Sequence, residues 1–143
     1  MTPPAEQLAE AALSLVDSPF RLHGRDPATG IDCLGLVGAA LAACGRRVRY
    51  PQGYRLRNSA IEPWLAFAPR NGLALATGPV QRGEVHLVQP GPAQHHLLIA
   101  LGNDRFVHAH AGLRKTVIQT LNPAGPPLKR WRLGADPECV WLP

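Results

Sequence analysis

The 143-residue chain has the length of one domain, and its 45% hydrophobic and 17% charged residues exclude an intrinsically disordered protein. No apolar run reaches the roughly 18 residues that a membrane-spanning helix needs, so we predict a single domain over residues 1–143 with no membrane span. The net charge of +5 favours anionic partners. With only 6% aromatic residues and no RNA-binding or zinc-finger signature, we expect no specific nucleic-acid partner.

Two helices are predicted in the first third of the chain. Prolines 3 and 4 precede apolar residues at three- and four-residue spacing, which indicates a helix over residues 3–16. Residues 20–31 are predicted to be a loop. The segment Cys33–Cys44 carries no charged or strongly polar residue, with Asp32 as a natural N-cap and Gly45 as a natural residue after the C-cap. A helix that is apolar on all sides belongs in the interior of a fold.

A short helix and several strands are predicted in the remainder. The helix covers Ile61–Ala68 and is interrupted early by Pro63. Turn residues then separate short apolar runs that read as strands. These are Leu73–Ala76, Glu84–Gln89, His96–Leu101, Arg105–His110, Thr116–Leu121, a strand around Trp131, and Cys139–Leu142. Helices followed by a strand meander predict an α+β fold in which N-terminal helices pack on an antiparallel sheet.

The three cysteines are expected to be reduced thiols. Their number is odd, and the N-terminal residues show no secretory signal, so we expect synthesis in the cytoplasm and no disulfide framework. Cys44 and Cys139 are interpreted as structural. Cys33 differs because it opens the apolar helix after a Gly-rich loop, where the helix N-terminus favours a thiolate.

A nucleophilic cysteine needs a base, and the strand region offers several histidines. His96 begins one predicted strand, and His108 and His110 lie on the next. A tight turn at residues 103–104 would bring His110 nearer to His96, whereas a bulge or a register shift would change the faces. His95 alternates with His96 and is expected to point outward. His23 and His86 are interpreted as solvated or hydrogen-bonded histidines.

These histidines and Cys33 could also be considered as zinc ligands. No Cys-x-x-Cys or His-Glu-x-x-His motif is present, and adjacent strand residues point to opposite faces. We therefore expect neither a metal nor a cofactor.

Three ordered blocks resemble the NlpC-type cell-wall peptidases, a family of papain-like cysteine endopeptidases. The first block is Pro-Phe-Arg-Leu-His-Gly at 19–24 with Gly-Ile-Asp-Cys-Leu-Gly-Leu-Val at 30–37. The second block is Gly-Glu-Val at 83–85. The third block is His-Leu-Leu-Ile-Ala-Leu-Gly-Asn at 96–103 with Phe-Val-His-Ala at 106–109. The resemblance implies that Cys33 is the nucleophile, His96 the general base and His108 the third residue. It further implies a papain-like fold and hydrolysis of peptide bonds in peptidoglycan stem peptides.

Within that family, residues 24–30 and 32–37 most resemble the small peptidases of phage tails and gene transfer agents, as do Trp131-Arg132 and the C-terminal residues 140–143. The resemblance implies a protein of the tail tip that opens peptidoglycan locally, with tail-tip proteins as partners. Together with the missing signal, it predicts a protein incorporated into a phage-like particle.

Three positions depart from the family pattern. Phe20 stands where the family commonly has a tyrosine hydroxyl near the oxyanion site, and Leu34 where a serine often follows the nucleophile. Asp32, beside Cys33, opposes a thiolate electrostatically. Two alternatives therefore stay open. One is a catalytically weak structural tail-tip component of the same fold, and the other is an amidase or acyl transferase that uses the same Cys–His pair.

Overall fold

The computed structural model describes residues 2–51, 61–90, 94–121 and 126–135, which form three helices and eight strands. The helices are α1 (Pro4–Ser14), α2 (Cys33–Ala43) and α3 (Glu62–Arg70). The strands are β1 (Arg25–Asp26), β2 (Gly30–Ile31), β3 (Leu73–Leu75), β4 (Val85–Val88), β5 (His96–Gly102), β6 (Arg105–His110), β7 (Lys115–Thr120) and β8 (Lys129–Leu133).

Helix α2 begins and ends as the sequence predicts. The Asp32 side chain accepts a hydrogen bond from the Gly35 N–H at 2.8 Å and so caps the first turn. At the other end Gly45 has a φ of 82°, and the N–H groups of Gly45 and Arg46 bond back to the carbonyls of Ala42 and Leu41. This pair of bonds is a Schellman motif, which requires the left-handed conformation that glycine adopts without strain.

Two local predictions differ from the structure. Pro63 lies in the first turn of α3 and does not interrupt it, because the first N–H groups of a helix have no intrahelical partner. Residues 20–31 are not all loop, since β1 and β2 form a small antiparallel ribbon. Asp26 closes the turn of this ribbon, because its carboxylate accepts the Ala28 N–H at 2.9 Å.

The large sheet has six antiparallel strands in the order β3-β8-β4-β5-β6-β7. Strands β4 to β7 form the predicted meander, but β8 returns across the sheet and lies between β3 and β4. The predicted strand Cys139–Leu142 lies outside the described residues.

The two faces of this sheet have different roles. One face packs against the helices, and the main core combines Leu8 of α1 and Leu36 of α2 with sheet residues such as Ile99 and Val107. The opposite face carries a small cluster of Leu98, Ala100 and Phe106, and here it is called the outer face. No helix among the described residues is long and apolar enough to cross a membrane.

Candidate active site

Cys33 is the first residue of α2 and is held at the edge of the core, with 8% of its surface exposed. A side chain on Gly35 would collide with the carbonyl oxygen of Gly24, so this glycine lets the preceding loop lie directly against the start of the helix. The buried Asp32 carboxylate fixes the same loop, accepting the His23 N–H at 2.8 Å and pairing with Arg25 at 3.1 Å.

Two opposing sets of interactions determine the acidity of the Cys33 thiol. Burial raises the pKa of Cys33, and the neighbouring Asp32 carboxylate raises it further. The nearby donors, namely the backbone N–H groups of Leu97 and Leu34 and the Trp64 indole, lower it, and the resulting pKa is about 11. The Leu34 N–H at the helix terminus favours the thiolate, as expected, but burial and the Asp32 carboxylate outweigh it, so the net pKa is raised.

A bulge decides which histidines share a face of the sheet. The turn between β5 and β6 is the expected tight one at Asn103 and Asp104, whose φ values of 53° and 59° are those of a type I′ turn. However, the register shifts between Ala100 and Gly102, so that Ala100 pairs with Phe106. This extra residue places even-numbered residues of both strands on the outer face.

On the outer face, His96 and His108 are in direct contact. Nε2 of His96 lies 3.0 Å from Nδ1 of His108, and Nε2 of His108 lies 2.6 Å from Oε1 of Gln119 on β7. Burial lowers the pKa of His96 to about 3, with further contributions from His108 and His110, and burial also lowers the pKa of His108. Both imidazoles are therefore neutral at pH 7.

The competing residue, His110, has a different environment. Its Nδ1 accepts the Leu113 N–H at 3.0 Å, and its ring lies 5.4 Å from that of His108. The contact with His96 thus belongs to His108. Among the described residues, no group of three or more His, Cys, Asp and Glu side chains is arranged to hold a metal ion.

The structure brings Cys33 to the first residues of β5 through the N–H of Leu97, the residue that follows His96. In the described part of the chain, no hydrogen bond joins the Cys33 thiol to an imidazole. The roles of Cys33 as nucleophile, His96 as base and His108 as third residue stay predictions.

His95 does not point outward. It is 8% exposed, and its ring packs against that of Trp64 with centroids 5.4 Å apart. Alternation along the strand does turn His95 away from His96, but the face opposite His96 is the helical core side, where α3 presents Trp64. Trp64 thus packs against His95 and belongs to the same core cluster as Cys33.

The remaining sequence-derived candidates are accounted for by their surroundings. His86 is buried and its Nε2 lies 3.0 Å from the Glu84 carboxylate, which agrees with its interpretation as a hydrogen-bonded histidine. Cys44 is half-buried at the end of α2, and Cys139 lies outside the described residues. Phe20 is fixed by main-chain hydrogen bonding, since its N–H bonds to the Arg114 carbonyl at 2.9 Å. Leu34 is fully buried in the core.

A cleft of about 370 Å³ opens along the histidines. Its wall includes His95, His96 and His108, and Leu98, Val88 and Leu121 make it largely apolar. A pocket with a few polar groups on an apolar wall is the usual form of a ligand site. Among the described residues, Cys33 does not line this cleft, so the cleft is a candidate ligand site on the histidine side alone.

Trp64 and Gln119 were not identified from the sequence. Trp64 sits in an unremarkable amphipathic helix, and Gln119 in a strand of alternating exposure. Neither residue stands in a motif, because each reaches the site through tertiary packing from a distant element.

Comparisons with known proteins agree on the fold. No family model matches the sequence, and no curated protein matches it significantly. Solved structures do match. An NlpC/P60 family protein from Bacillus cereus superimposes with a TM-score of 0.63 at 22% identity, over 91% of this chain and 40% of that one.

Two further matches are peptidoglycan hydrolases. The NlpC/P60 domain of the hydrolase SagA gives a TM-score of 0.60 at 20% identity over 88% of this chain and 96% of that domain. The hydrolase RipB from Mycobacterium tuberculosis gives 0.63 at 21% identity over 93% of this chain and 66% of that protein. The predicted α+β fold of the NlpC type is confirmed. The chain spans less than half of the Bacillus protein.

Proposed function

We propose that this chain is a cysteine peptidase that hydrolyses peptide bonds in peptidoglycan stem peptides. The observation that carries the proposal is the meeting of two elements. The first turn of α2 presents Cys33 to the Leu97 N–H, and the adjacent His96 is held by His108. The peptidoglycan hydrolases among the structural neighbours support the substrate class.

Hydrolysis would proceed through an acyl-enzyme. The Cys33 sulfur attacks the scissile carbonyl carbon while its proton passes to Nδ1 of His96. The Trp64 indole and the backbone N–H groups around the thiol stabilise the negative charge that develops on the oxygen. His96 then gives the proton to the leaving amine, the C–N bond breaks, and a water molecule activated by His96 hydrolyses the thioester.

The two pKa values constrain this first step. A Cys33 pKa of about 11 and a His96 pKa of about 3 favour the neutral thiol and the neutral imidazole over a resting ion pair. Proton transfer therefore accompanies the attack of sulfur on the carbonyl and does not precede it.

We further propose the bond and the biological setting. The bond is the γ-D-glutamyl to diamino-acid bond that the NlpC-type resemblance implies, and the net charge of +5 suits an anionic wall. The resemblance of residues 24–37 to phage-tail and gene-transfer-agent peptidases supports a place at a tail tip, with other tail proteins as partners, in a particle that carries the enzyme to the wall.

Digestion of purified peptidoglycan, with products identified by mass spectrometry, tests the proposal. Wild type is expected to release stem-peptide fragments, and Cys33→Ala to release none. Cys44→Ala is the matched control, because this half-buried thiol lies at the far end of the same helix. Fragments cut at another amide, or an acyl group transferred to an added amine, would identify an amidase or acyl transferase instead.

A second candidate function is a structural tail-tip component with little or no turnover. It is favoured by the high pKa of Cys33 and by the replacement of a hydroxyl donor by Phe20. In the same experiment, wild type and Cys33→Ala would then bind peptidoglycan equally and leave it intact.

A further inference from the structure

Gln119 is placed by strand pairing beside His108. The register of β6 and β7 pairs Phe106 with Gln119 and His108 with Val117, so Gln119 and His108 share the outer face one step apart. The carboxamide oxygen of Gln119 lies 2.6 Å from Nε2 of His108, which makes this the shortest contact in the histidine chain.

We propose that Gln119 is a positioning residue that acts through His108 to keep Nδ1 of His96 unprotonated and able to accept a proton. Its role in turnover rests on the function proposed above. Its effect on the proton positions of the two histidines does not.

The proton positions follow from donor and acceptor chemistry. A carboxamide oxygen only accepts, so Nε2 of His108 carries the hydrogen. Because His108 is neutral, its Nδ1 then has a lone pair and accepts from Nε2 of His96 across 3.0 Å. His96 is neutral too, so its Nδ1 carries no hydrogen and has a lone pair that can accept a proton. If His108 were instead protonated on Nδ1, His96 would carry its hydrogen on Nδ1 and could not take the proton of a thiol.

A neutral acceptor suits this arrangement better than a charged one. Among the described residues, the titratable groups near His108 are His96 on β5, His110 on its own strand and Lys115 on β7. Lys115 pairs with Asp17 at 3.5 Å, and the β7 residue in contact with the His108 ring is the uncharged Gln119. A carboxylate at residue 119 would stabilise the His108 imidazolium. An imidazolium donates from both nitrogens, so it would force Nε2 of His96 to accept and place the hydrogen on Nδ1.

Nitrogen-15 NMR of the imidazole groups tests the proposal without any turnover. In wild type, both His96 and His108 are expected to carry hydrogen on Nε2. Gln119→Met keeps an unbranched side chain but removes the acceptor, and it should populate the Nδ1–H form of both histidines. Gln119→Asn should restore the wild-type form in part, and Gln7→Met, the same change at an exposed site, should leave it unchanged. Hydrogen on Nδ1 of His108 in wild type, or unchanged histidines in Gln119→Met, would overturn the proposal.

The pH profile of peptidoglycan cleavage gives a second readout. In Gln119→Glu, the acid limb of kcat/KM should move up by about one to three pH units, because activity returns only above the raised pKa of His108. A merely structural role would lower the amplitude of the profile without moving this limb, and that result would overturn the proposal. If wild type shows no cleavage, the proposed peptidase function fails, and the NMR measurement alone decides the role of Gln119.

Discussion

Replacing Asp32 by asparagine should make the Cys33 thiol more reactive, although it removes a well-bonded side chain. The Asp32 carboxylate is buried beside the sulfur and raises the pKa of Cys33. Asparagine keeps an oxygen that can accept the Gly35 N–H, and it is as good an N-cap as aspartate. It removes the acceptor of the His23 N–H and the ion pair with Arg25, and with them the negative charge that opposes the thiolate.

The size of the effect follows from the charges around the thiol. A like charge in close range shifts a pKa by about 1–3 units. The Arg25 guanidinium, 3.1 Å from the carboxylate, offsets part of this, so we expect a shift of about one unit. One unit is about tenfold more thiolate at a fixed pH below the pKa, or about 1.4 kcal/mol. Since a less basic thiolate is also less nucleophilic, the net gain in alkylation rate is about threefold.

Alkylation by iodoacetamide between pH 6 and pH 12, followed by peptide mass spectrometry, measures this shift at Cys33 separately from the other cysteines. The inflection for wild type should lie near pH 11, and that for Asp32→Asn about one unit lower. Asp26→Asn is the control, because this exposed carboxylate belongs to the same loop. A wild-type inflection below pH 8, or an inflection that Asp32→Asn leaves in place, would show that burial and the Asp32 carboxylate do not raise the pKa of Cys33.

Three further predictions concern the donor beside the thiol, the buried carboxylate and the acid limit of stability. Trp64→Phe removes an indole donor and should slow peptidoglycan cleavage about tenfold or more. Trp131→Phe replaces a buried indole of β8 and should change the rate little. Equal rates in the two variants would contradict this prediction. Glu84 is fully buried and forms ion pairs with Arg130 and Arg132. Glu84→Gln should therefore lower the unfolding free energy, measured by urea titration, by about 3–5 kcal/mol. Glu10→Gln changes an exposed partner of an ion pair and should lower it by less than about 1 kcal/mol. The unfolded chain takes up protons below pH 6.5, whereas the half-buried His96 of the folded chain stays neutral until about pH 3. Stability should therefore fall as the pH is lowered between these values, by up to about 1.4 kcal/mol per pH unit for this residue. Unchanged stability at pH 5 relative to pH 7 would be inconsistent with a neutral His96.

Features fixed by neighbouring residues could be predicted from the sequence. The apolar helix between Asp32 and Gly45 was placed correctly because its caps and its composition are local signals. The turn at Asn103 and Asp104 was also expected, since these residue types tolerate positive φ. The same holds for the antiparallel strands on either side of that turn.

Features fixed by tertiary packing could not be predicted from the sequence. The bulge near Leu101 changes the pairing of two strands without leaving a sequence signal, and only the bulge places His96 and His108 on one face. The position of β8 between β3 and β4 is likewise a choice between distant strands. His95 was misplaced because alternation tells which residues share a face but not which face is covered.

The pKa of Cys33 likewise depends on one feature that the sequence shows and one that only the folded structure shows. The opposing charge of Asp32 could be read from its position next to Cys33. The extent of burial, which is the larger cause of the raised pKa, depends on how α2, α3 and the sheet close around the thiol.

Peptidoglycan cleavage by two single variants of adjacent residues decides whether the imidazole of His96 serves the Cys33 thiol. His96→Ala should lose cleavage by a factor of about a hundred or more, while His95→Ala, which removes a ring packed on Trp64, should stay within about tenfold of wild type. Loss of cleavage in His95→Ala with retention in His96→Ala would contradict the claim and assign the base to the core side of the sheet.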